Sequence, residues 1–350
     1  MTSLHNRVNK DVLKAGLKAD HTPRVTLSFY KYYHLRNPKI FRDHFYLLLS
    51  QVRVLGRIYV SYEGVNAQIS VPQHQIEAFR EAIHTITFLQ DIRLNFAIED
   101  DGKSFFKLMV KVRDKIVADG LDDQTFDVTN RGVHLNAEAF NALTDDPDTI
   151  IVDMRNHYES EVGYFRNAIL PDVETFREAL PVVERLLVDK KDKNIIMYCT
   201  GGIRCEKASA YFKHKGFTHV YQVEGGIIEY ARRAAESGIE NKFIGKNFVF
   251  DERLGERISK DVISKCHQCG KPCDTHINCG NDACHILFIQ CPDCNLKFEN
   301  TCSLKCQEFN KLPEEVKESL RKTTTFNGTK FGKGRYKAHH KDSVLENSDV

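Results

Sequence analysis

The sequence has no cysteine in its first 198 residues, although it contains 11 in all. A secreted protein stabilised by disulfides would not normally leave over half of its chain without one, so this distribution favours a reducing compartment. Long apolar runs are also missing. The longest, such as Phe45–Leu49, fall far short of the roughly 20 residues that cross a bilayer. The first twenty residues lack the apolar block of a secretory signal. We therefore expect a cytoplasmic protein with no membrane partner.

The net charge of the chain is also small. The chain carries 50 Lys and Arg against 48 Asp and Glu, a formal charge of +2. Total charge therefore does not indicate nucleic-acid binding, and any basic surface must come from local segregation. The composition itself is ordinary, with 41% hydrophobic and 28% charged residues. This excludes fibrous and wholly disordered classes, and 350 residues predict two or three domains.

Residues 1–120 predict a ferredoxin-like N-terminal domain. Strand and helix patterns follow one another in the order βαββαβ, which is typical of that α+β sandwich. The strand patterns are Val25–Tyr32, Arg57–Tyr62, Ala67–Val71 and Arg93–Ile98, the helix patterns are Phe41–Leu49 and Gln75–Thr85, and a further strand pattern lies at Lys107–Arg113. Such folds serve many functions, so this prediction alone assigns none.

Residues 146–240 predict a parallel α/β domain, preceded by a polar connecting segment at 121–145 that contains one short helix. Near-continuous apolar strands alternate here with helices, as in a parallel sheet covered on both faces. The predicted strands are Thr149–Met154, Asn194–Cys199 and His219–Val223, and the helices are Val173–Val188, Glu206–Lys215 and Ile227–Ser237.

One cysteine stands where chemistry is expected. Cys199 ends a buried strand and is followed by Thr200, Gly201, Gly202, Ile203 and Arg204, with a helix expected from about Glu206. Loop amides, a helix N-terminus and the Arg204 charge all favour a thiolate, which is the nucleophilic form of cysteine. Four residues separate Cys199 from Arg204, whereas cysteine phosphatases have five. The shorter loop suits a single sulfur or oxygen centre better than a phosphate.

Cys205 has two interpretations. It could be a resolving thiol that forms a disulfide with Cys199, or a small packing residue facing the sheet.

Nine cysteines lie between Cys266 and Cys306, and their spacing predicts structural zinc in a segment that we place at 245–312. The segment contains two C-x2-C pairs, Cys266–Cys269 and Cys291–Cys294. A cross-braced arrangement would form two four-cysteine sites. The predicted ligands are Cys266, Cys269, Cys291 and Cys294 for one site and Cys279, Cys284, Cys302 and Cys306 for the other. Cys273 is left over, and His267, His276 and His285 could substitute. An iron–sulfur cluster is the competing interpretation. Residues 313–350 predict a basic, disordered tail.

Several motifs together resemble a known family. Asp153-Met154-Arg155, the Cys199–Arg204 loop and Gly225-Gly226-Ile227 resemble the rhodanese fold, although Tyr164 follows Gly163 where histidine is common. A wider set of motifs resembles the rhodanese-domain tRNA uridine hydroxylases, and this resemblance covers nearly residues 1–310. That set comprises Ser28–Tyr32, Glu63–Gln68, Asp101–Phe105, Met197–Ser209 and Gly245–Arg253.

This resemblance implies oxygen-dependent 5-hydroxylation of the wobble uridine in the tRNA anticodon loop. It implies that Cys199 is the essential residue, working as a thiolate, a persulfide or an oxidised form. We expect Arg204 and the amides of residues 200–205 to hold that sulfur, and Asp153 and Arg155 to support the loop. Molecular oxygen would be the co-substrate, and no organic cofactor is evident. The alternatives are a persulfide-carrying sulfurtransferase and a non-catalytic RNA-binding module.

The tRNA partner requires groups that hold phosphates and bases. Basic candidates are Arg204, Lys207, Arg232, Arg233 and the tail from Lys311 to Lys341. Candidate stacking residues are Phe29, Tyr30, Tyr32, Tyr33, Phe248 and Phe250, although alternating aromatics are more often core residues. The sequence does not indicate an oligomeric state.

Overall fold

The computed structural model describes residues 4, 8–122, 125–321, 323–328 and 335–336. It confirms the predicted mixture of α+β and parallel α/β architecture, followed by a cysteine-rich segment able to bind metal. Within the described part of the chain, no helix is both long and apolar enough to cross a membrane.

The N-terminal domain is a five-stranded sheet in the order β4-β1-β3-β2-β5. Its elements are α1 (Lys10–Ala19), β1 (Arg24–Tyr32), α2 (Pro38–Gln51), β2 (Leu55–Ser61), β3 (Gly64–Pro72), α3 (Ile76–His84), β4 (Asn95–Phe96) and β5 (Leu108–Val112). The first four strands pair antiparallel in the ferredoxin-like order, and β5 adds a parallel edge beside β2. Strand β4 is shorter than the predicted Arg93–Ile98.

The two faces of this sheet have different chemistry because successive side chains on a strand point to opposite sides. Ile58 and Val60 of β2 are fully buried in the core beneath α2 and α3. Arg57 and Tyr59 alternate with them and are only half-buried, as is Tyr30 of β1. These three residues line a cavity shared with the central domain.

The central domain contains a parallel sheet in the order β6-β10-β9-β7. Its elements are β6 (Val133–Leu135), α4 (Ala137–Thr144), β7 (Ile150–Asp153), α5 (His157–Ser160), β8 (Gly163–Phe165), α6 (Phe176–Leu186), β9 (Asn194–Tyr198), α7 (Ile203–His214), β10 (His219–Val223) and α8 (Gly226–Ser237). Separate apolar clusters cover its two faces, one including α6 and α7 and the other α4 and α8.

Two boundaries differ from the prediction. Strand β6 and helix α4 lie in the predicted connecting segment 121–145, but they belong to the central domain. The sequence signal was weak because β6 has three residues, two of them exposed. Helix α7 begins at Ile203 rather than near Glu206, so Arg204 and Cys205 lie in its first turn.

The C-terminal part begins with a strand that pairs with the central domain. Its elements are β11 (Phe243–Asn247), β12 (Glu256–Arg257), β13 (His276–Asn278), β14 (Leu287–Ile289), α9 (Pro292–Lys297), α10 (Leu304–Lys311) and α11 (Glu314–Leu320). Strand β11 pairs antiparallel with β8 and β12.

The prediction of disorder from residue 313 onward is wrong for α11. Pro313 precedes this helix, and Glu314 and Glu315 in its first turn complement the helix dipole. Phe326 and Tyr336 also pack against the cysteine-rich segment. Apart from residues 321, 323–328 and 335–336, the rest of the predicted tail lies outside the described residues.

Candidate active site and metal centres

The Cys199 loop joins β9 to α7 and wraps around the cysteine sulfur. The backbone N–H of Gly202 donates a hydrogen bond to Cys199 Sγ at 3.2 Å. Gly202 has φ = +96°, and a Cβ atom there would lie 2.8 Å from the Tyr30 hydroxyl oxygen. Glycine therefore permits both the turn of the loop and its close contact with the N-terminal domain.

The surroundings of Cys199 favour its thiolate. Burial opposes the charged form, but a hydrogen bond from Cys205, the charge of Arg204 and amide hydrogen bonds from Arg204 and Gly202 outweigh it. Together they lower the pKa of Cys199 to about 6. The Cys205 thiol behaves in the opposite way, because burial and the neighbouring Cys199 sulfur raise its pKa well above the usual range. The two thiols are thus a contacting pair with different protonation preferences.

Arg204 is held by a carboxylate rather than aimed at the sulfur. Its Nη1 and Nη2 donate to Glu159 Oε1 and Oε2 at 2.6 and 2.8 Å, and both side chains are buried. Glu159 also accepts from the backbone N–H of Asn156 in the capping box of α5. The sequence does not indicate the contact between Glu159 and Arg204, although the Asn156-x-x-Glu159 spacing is that of a capping box and places Glu159 in the first turn of a helix.

Asp153 and Arg155 form a second buried ion pair beside β9, the strand that leads to Cys199, since Asp153 lies opposite Tyr198 in the parallel pairing. Arg155 donates to Asp153 Oδ1 and Oδ2 at 2.9 and 2.7 Å and to the carbonyl of Gly163 at 2.6 Å. Its guanidinium lies 5.6 Å from the ring centroid of Tyr198. The pair therefore fixes β7 and β8 relative to Tyr198, the residue before Cys199.

A cavity of about 330 Å³ opens beside Cys199, and both domains line it. Its volume is at the lower end of small-ligand pockets. The central domain contributes Cys199, Thr200, Gly201, Ile203 and Arg204, and the N-terminal sheet contributes polar side chains including Ser28, Tyr30, Arg57, Tyr59 and Gln68. Phe250 also lines it and is 41% exposed, so one of the predicted stacking residues is available there. Phe29 and Phe248 are core residues.

Ion pairs across the domain interface position this cavity. Lys207 is buried and contacts Glu63 at 2.5 Å and Asp119 at 2.7 Å. Glu206 accepts from the Tyr30 hydroxyl at 3.1 Å and from Arg131 at 2.9 Å. Lys207 and Arg204 were predicted to contact phosphates, but both are engaged in buried ion pairs that hold the fold.

The cysteine-rich segment brings together the two predicted four-cysteine groups. Within each group the sulfur atoms lie within 4.8 Å of one another. The groups are Cys266, Cys269, Cys291 and Cys294, and Cys279, Cys284, Cys302 and Cys306. Their members alternate in pairs along the chain, as the cross-braced arrangement predicts.

The geometry of both groups fits tetrahedral zinc. Sulfur pairs such as Cys269–Cys291 and Cys302–Cys306 are 3.6 Å apart, close to the edge of about 3.8 Å expected for four sulfurs at about 2.3 Å from zinc. Backbone N–H groups donate to Cys266 Sγ at 3.3 Å and to Cys279 Sγ at 3.4 Å, as they do to thiolates. All eight cysteines are free of disulfides. Four protein sulfurs fill each site, which indicates a structural role.

The remaining candidate ligands lie outside both groups. Cys273 is buried, and its sulfur accepts from the backbone N–H of Thr275 at 3.5 Å. His267 contacts Glu161 at 2.8 Å. Burial lowers the pKa of His276 to about 4, so this imidazole is neutral near pH 7. His285 lines a separate, larger cleft.

Family models match three parts of the chain. They are a UPF0176 acylphosphatase like domain at residues 24–116, a Rhodanese-like domain at 136–233 and a Rhodanase C-terminal region at 244–307. Among solved structures, a rhodanese-like domain protein from Staphylococcus aureus is 25% identical with a TM-score of 0.24. That match covers 28% of this chain and 90% of the other.

Curated relatives match almost the whole chain. A protein of Photorhabdus laumondii subsp. laumondii is 56% identical over 339 residues, covering 96% of each chain. One of Pectobacterium atrosepticum is 59% identical over 322 residues, covering 92% of this chain and 91% of the other. One of Salmonella heidelberg is 55% identical, covering 98% and 99%. Each is named tRNA uridine(34) hydroxylase. Their identity and coverage show that this chain belongs to the tRNA uridine(34) hydroxylase family.

Proposed function

We propose that this protein is a tRNA-modifying oxidoreductase that hydroxylates uridine 34 of tRNA at carbon 5. The names of the relatives support the reaction and its substrate. The observation that carries our assignment of the site is Cys199, a thiolate at neutral pH on the wall of a cavity shared by two domains. Position 34 lies in the anticodon loop, where a base can leave its stack without melting a duplex.

The site residues have separate roles in this proposal. Cys199 reacts, while the Gly202 amide and the Arg204 charge stabilise its anionic forms. Glu159 positions Arg204, and the Asp153–Arg155 pair supports the strand beneath the loop. The two zinc sites hold the C-terminal segment in shape and take no part in the chemistry.

Molecular oxygen is the proposed co-substrate, and its use requires electrons. Replacing C5–H by C5–OH consumes one oxygen atom of O2. If the Cys199 thiolate takes the other and becomes a sulfenate, the step balances as base–H + O2 + R–S⁻ → base–OH + R–SO⁻, and a proton from solvent converts the sulfenate to the sulfenic acid. The thiol of Cys205 then attacks the sulfenic sulfur, forming a disulfide and releasing water. The protonated Cys205 supplies the proton that leaves with the hydroxyl group, and an external thiol would restore the pair.

A persulfide-carrying sulfurtransferase is the second candidate, since the same thiolate in a rhodanese-like domain could carry sulfur. The two functions differ in their products. Mass spectrometry of tRNA nucleosides from cells with and without this protein separates them. We expect 5-hydroxyuridine to disappear without the protein. Loss of a thiolated nucleoside with 5-hydroxyuridine intact would instead support sulfur transfer.

A further inference from the structure

Four cations share one face at the edge of the N-terminal sheet. On β5, Leu108 and Val110 face the core, so Lys107 and Lys111 point to the opposite side. Arg113 is two residues beyond Lys111, so its side chain points to the same side of the strand. Its backbone N–H donates a hydrogen bond to the carbonyl of Val60 at 2.9 Å, which extends the pairing with β2. Arg57 lies on the adjacent strand, opposite Met109 in the parallel pairing. We call Arg57, Lys107, Lys111 and Arg113 the basic face.

No acidic group among the described residues neutralises the charge of the basic face. None of its four members forms an ion pair with any residue that the structure describes. Burial and the positive charges of Arg113, Arg57 and Lys107 together lower the pKa of Lys111. Arg113 lies 5.7 Å from the ring centroid of Tyr59, and Lys107 lies 5.8 Å from that of Phe106. The cations are thus interleaved with aromatic rings, a combination suited to single-stranded RNA.

Two residues of the basic face, Arg57 and Lys107, line the Cys199 cavity or the cleft next to it. Arg57 lines both the Cys199 cavity and a neighbouring cleft of about 1130 Å³, and Lys107 also lines the cleft. The cysteine-rich segment also lines the cleft, with residues including His267 and His285. A nucleic-acid strand in this cleft would pass the basic face and present one base to the cavity.

Each of the four acidic side chains lining the cleft contacts a basic side chain. The pairs are Glu252 with Lys14, Asp251 with Arg253, Glu161 with His267, and Glu174 with Arg335. Arg57 and Lys107 differ from these groups, because they line the cleft without an acidic partner among the described residues. An anion is the ligand that this distribution favours.

The other cations proposed for RNA binding are less available. Arg204 and Lys207 are buried in ion pairs. Among the described tail residues, Lys311, Lys317, Arg321 and Arg335 each pair with an acid. Arg232 and Arg233 face Glu229 and Glu236 at 3.9 Å.

We propose that the basic face binds the phosphates of the anticodon loop and so guides uridine 34 into the Cys199 cavity. This inference rests on the proposed function, because it takes tRNA as the substrate. Phosphate contacts of this kind position a nucleic acid without reading its sequence.

The test measures binding of a synthetic anticodon stem–loop RNA with uridine at position 34, as a function of salt concentration. Each phosphate contact to single-stranded RNA contributes a slope of about 0.7 to the log–log salt dependence. Lys107→Gln/Lys111→Gln should reduce the slope by about 1 to 2 and weaken binding roughly 10- to 30-fold at 0.1 M salt. Arg57→Gln should lower both affinity and kcat/KM, because Arg57 lies at both cavities.

The control is Arg36→Gln/Lys39→Gln, which removes the same charge from exposed positions at the start of α2, on the helix-covered side of the sheet. It should leave the slope unchanged, and thermal melting verifies that all variants fold. A wild-type slope in Lys107→Gln/Lys111→Gln would overturn the proposal even if uridine is still hydroxylated. The RNA could also bind with the expected slopes while neither the wild type nor any variant forms 5-hydroxyuridine. That result would support phosphate binding by the basic face and overturn the proposed hydroxylation.

Discussion

The Cys199 loop and the cysteine-rich segment use the same side chain for opposite purposes. At the loop, one sulfur accepts an amide hydrogen bond at 3.2 Å and lines a cavity. In the cysteine-rich segment, eight sulfurs form two closed groups. The number of neighbouring sulfurs and the presence of an adjoining cavity therefore decide whether a cysteine in this protein is reactive or structural.

Metal removal should produce the largest effect, because structural zinc contributes about 10–16 kcal/mol to the folding of small sites. We expect elemental analysis to find two zinc ions per chain, one for each four-cysteine group. Chelation should increase hydrogen exchange in residues 260–310 first. Cys294→Ser should lose about one zinc, whereas Cys273→Ser should keep both. Finding disulfides in place of metal would overturn the structural zinc sites.

The Cys199→Ser variant tests whether the sulfur of Cys199 takes part in the reaction. Without a thiolate, the rate of uridine hydroxylation should fall on the order of 10³-fold or more. The fold should persist, because serine is close to cysteine in size and Cys199 is not a predicted zinc ligand. Activity is measured on purified tRNA, with Cys273→Ser as the matched control. Near-wild-type turnover by Cys199→Ser would remove this residue from the chemistry.

Much of the site could be predicted because its signals are local. The strand, glycine loop and helix around Cys199 lie within a short stretch. The C-x2-C spacing pairs the ligands of the first four-cysteine group, and the cross-braced order assigns the other four cysteines to the second. Contacts between distant segments could not be predicted in the same way. Glu159 and Arg204 are 45 residues apart, and Glu63 and Lys207 are 144 apart. The basic face forms only because β5 pairs in parallel with β2, which brings Arg57 beside Lys107 and Lys111.

Arg204→Ala should destabilise the protein by about 3–5 kcal/mol, since it leaves Glu159 buried without its partner. Arg204→Met/Glu159→Gln removes both charges and should recover much of that loss. Chemical denaturation measures the stability of each variant. In the double variant the pKa of Cys199 should still rise, because the Arg204 charge is one of the groups that lower it. Equal stability of the single and double variants would argue against the buried ion pair.

The pH dependence of Cys199 alkylation should show the smallest effect. With a folded pKa of about 6, its rate with iodoacetamide should rise through pH 6 and level off above pH 7. Cys205→Ser should move the midpoint by about one unit or less, since a serine hydroxyl can still donate a hydrogen bond. Mass spectrometry of the alkylated peptide reads the rate at this cysteine alone. A midpoint near pH 8.5 would mean that burial outweighs the groups that stabilise the thiolate.

We propose that the Cys199 thiolate couples molecular oxygen to hydroxylation of uridine 34. A single turnover of the reduced enzyme with tRNA under ¹⁸O2, without added thiol, tests it most directly. We predict one ¹⁸O atom in the new hydroxyl group and, in the same enzyme, a disulfide between Cys199 and Cys205. An ¹⁶O hydroxyl derived from water, or full product formation with both thiols still reduced, would contradict the account.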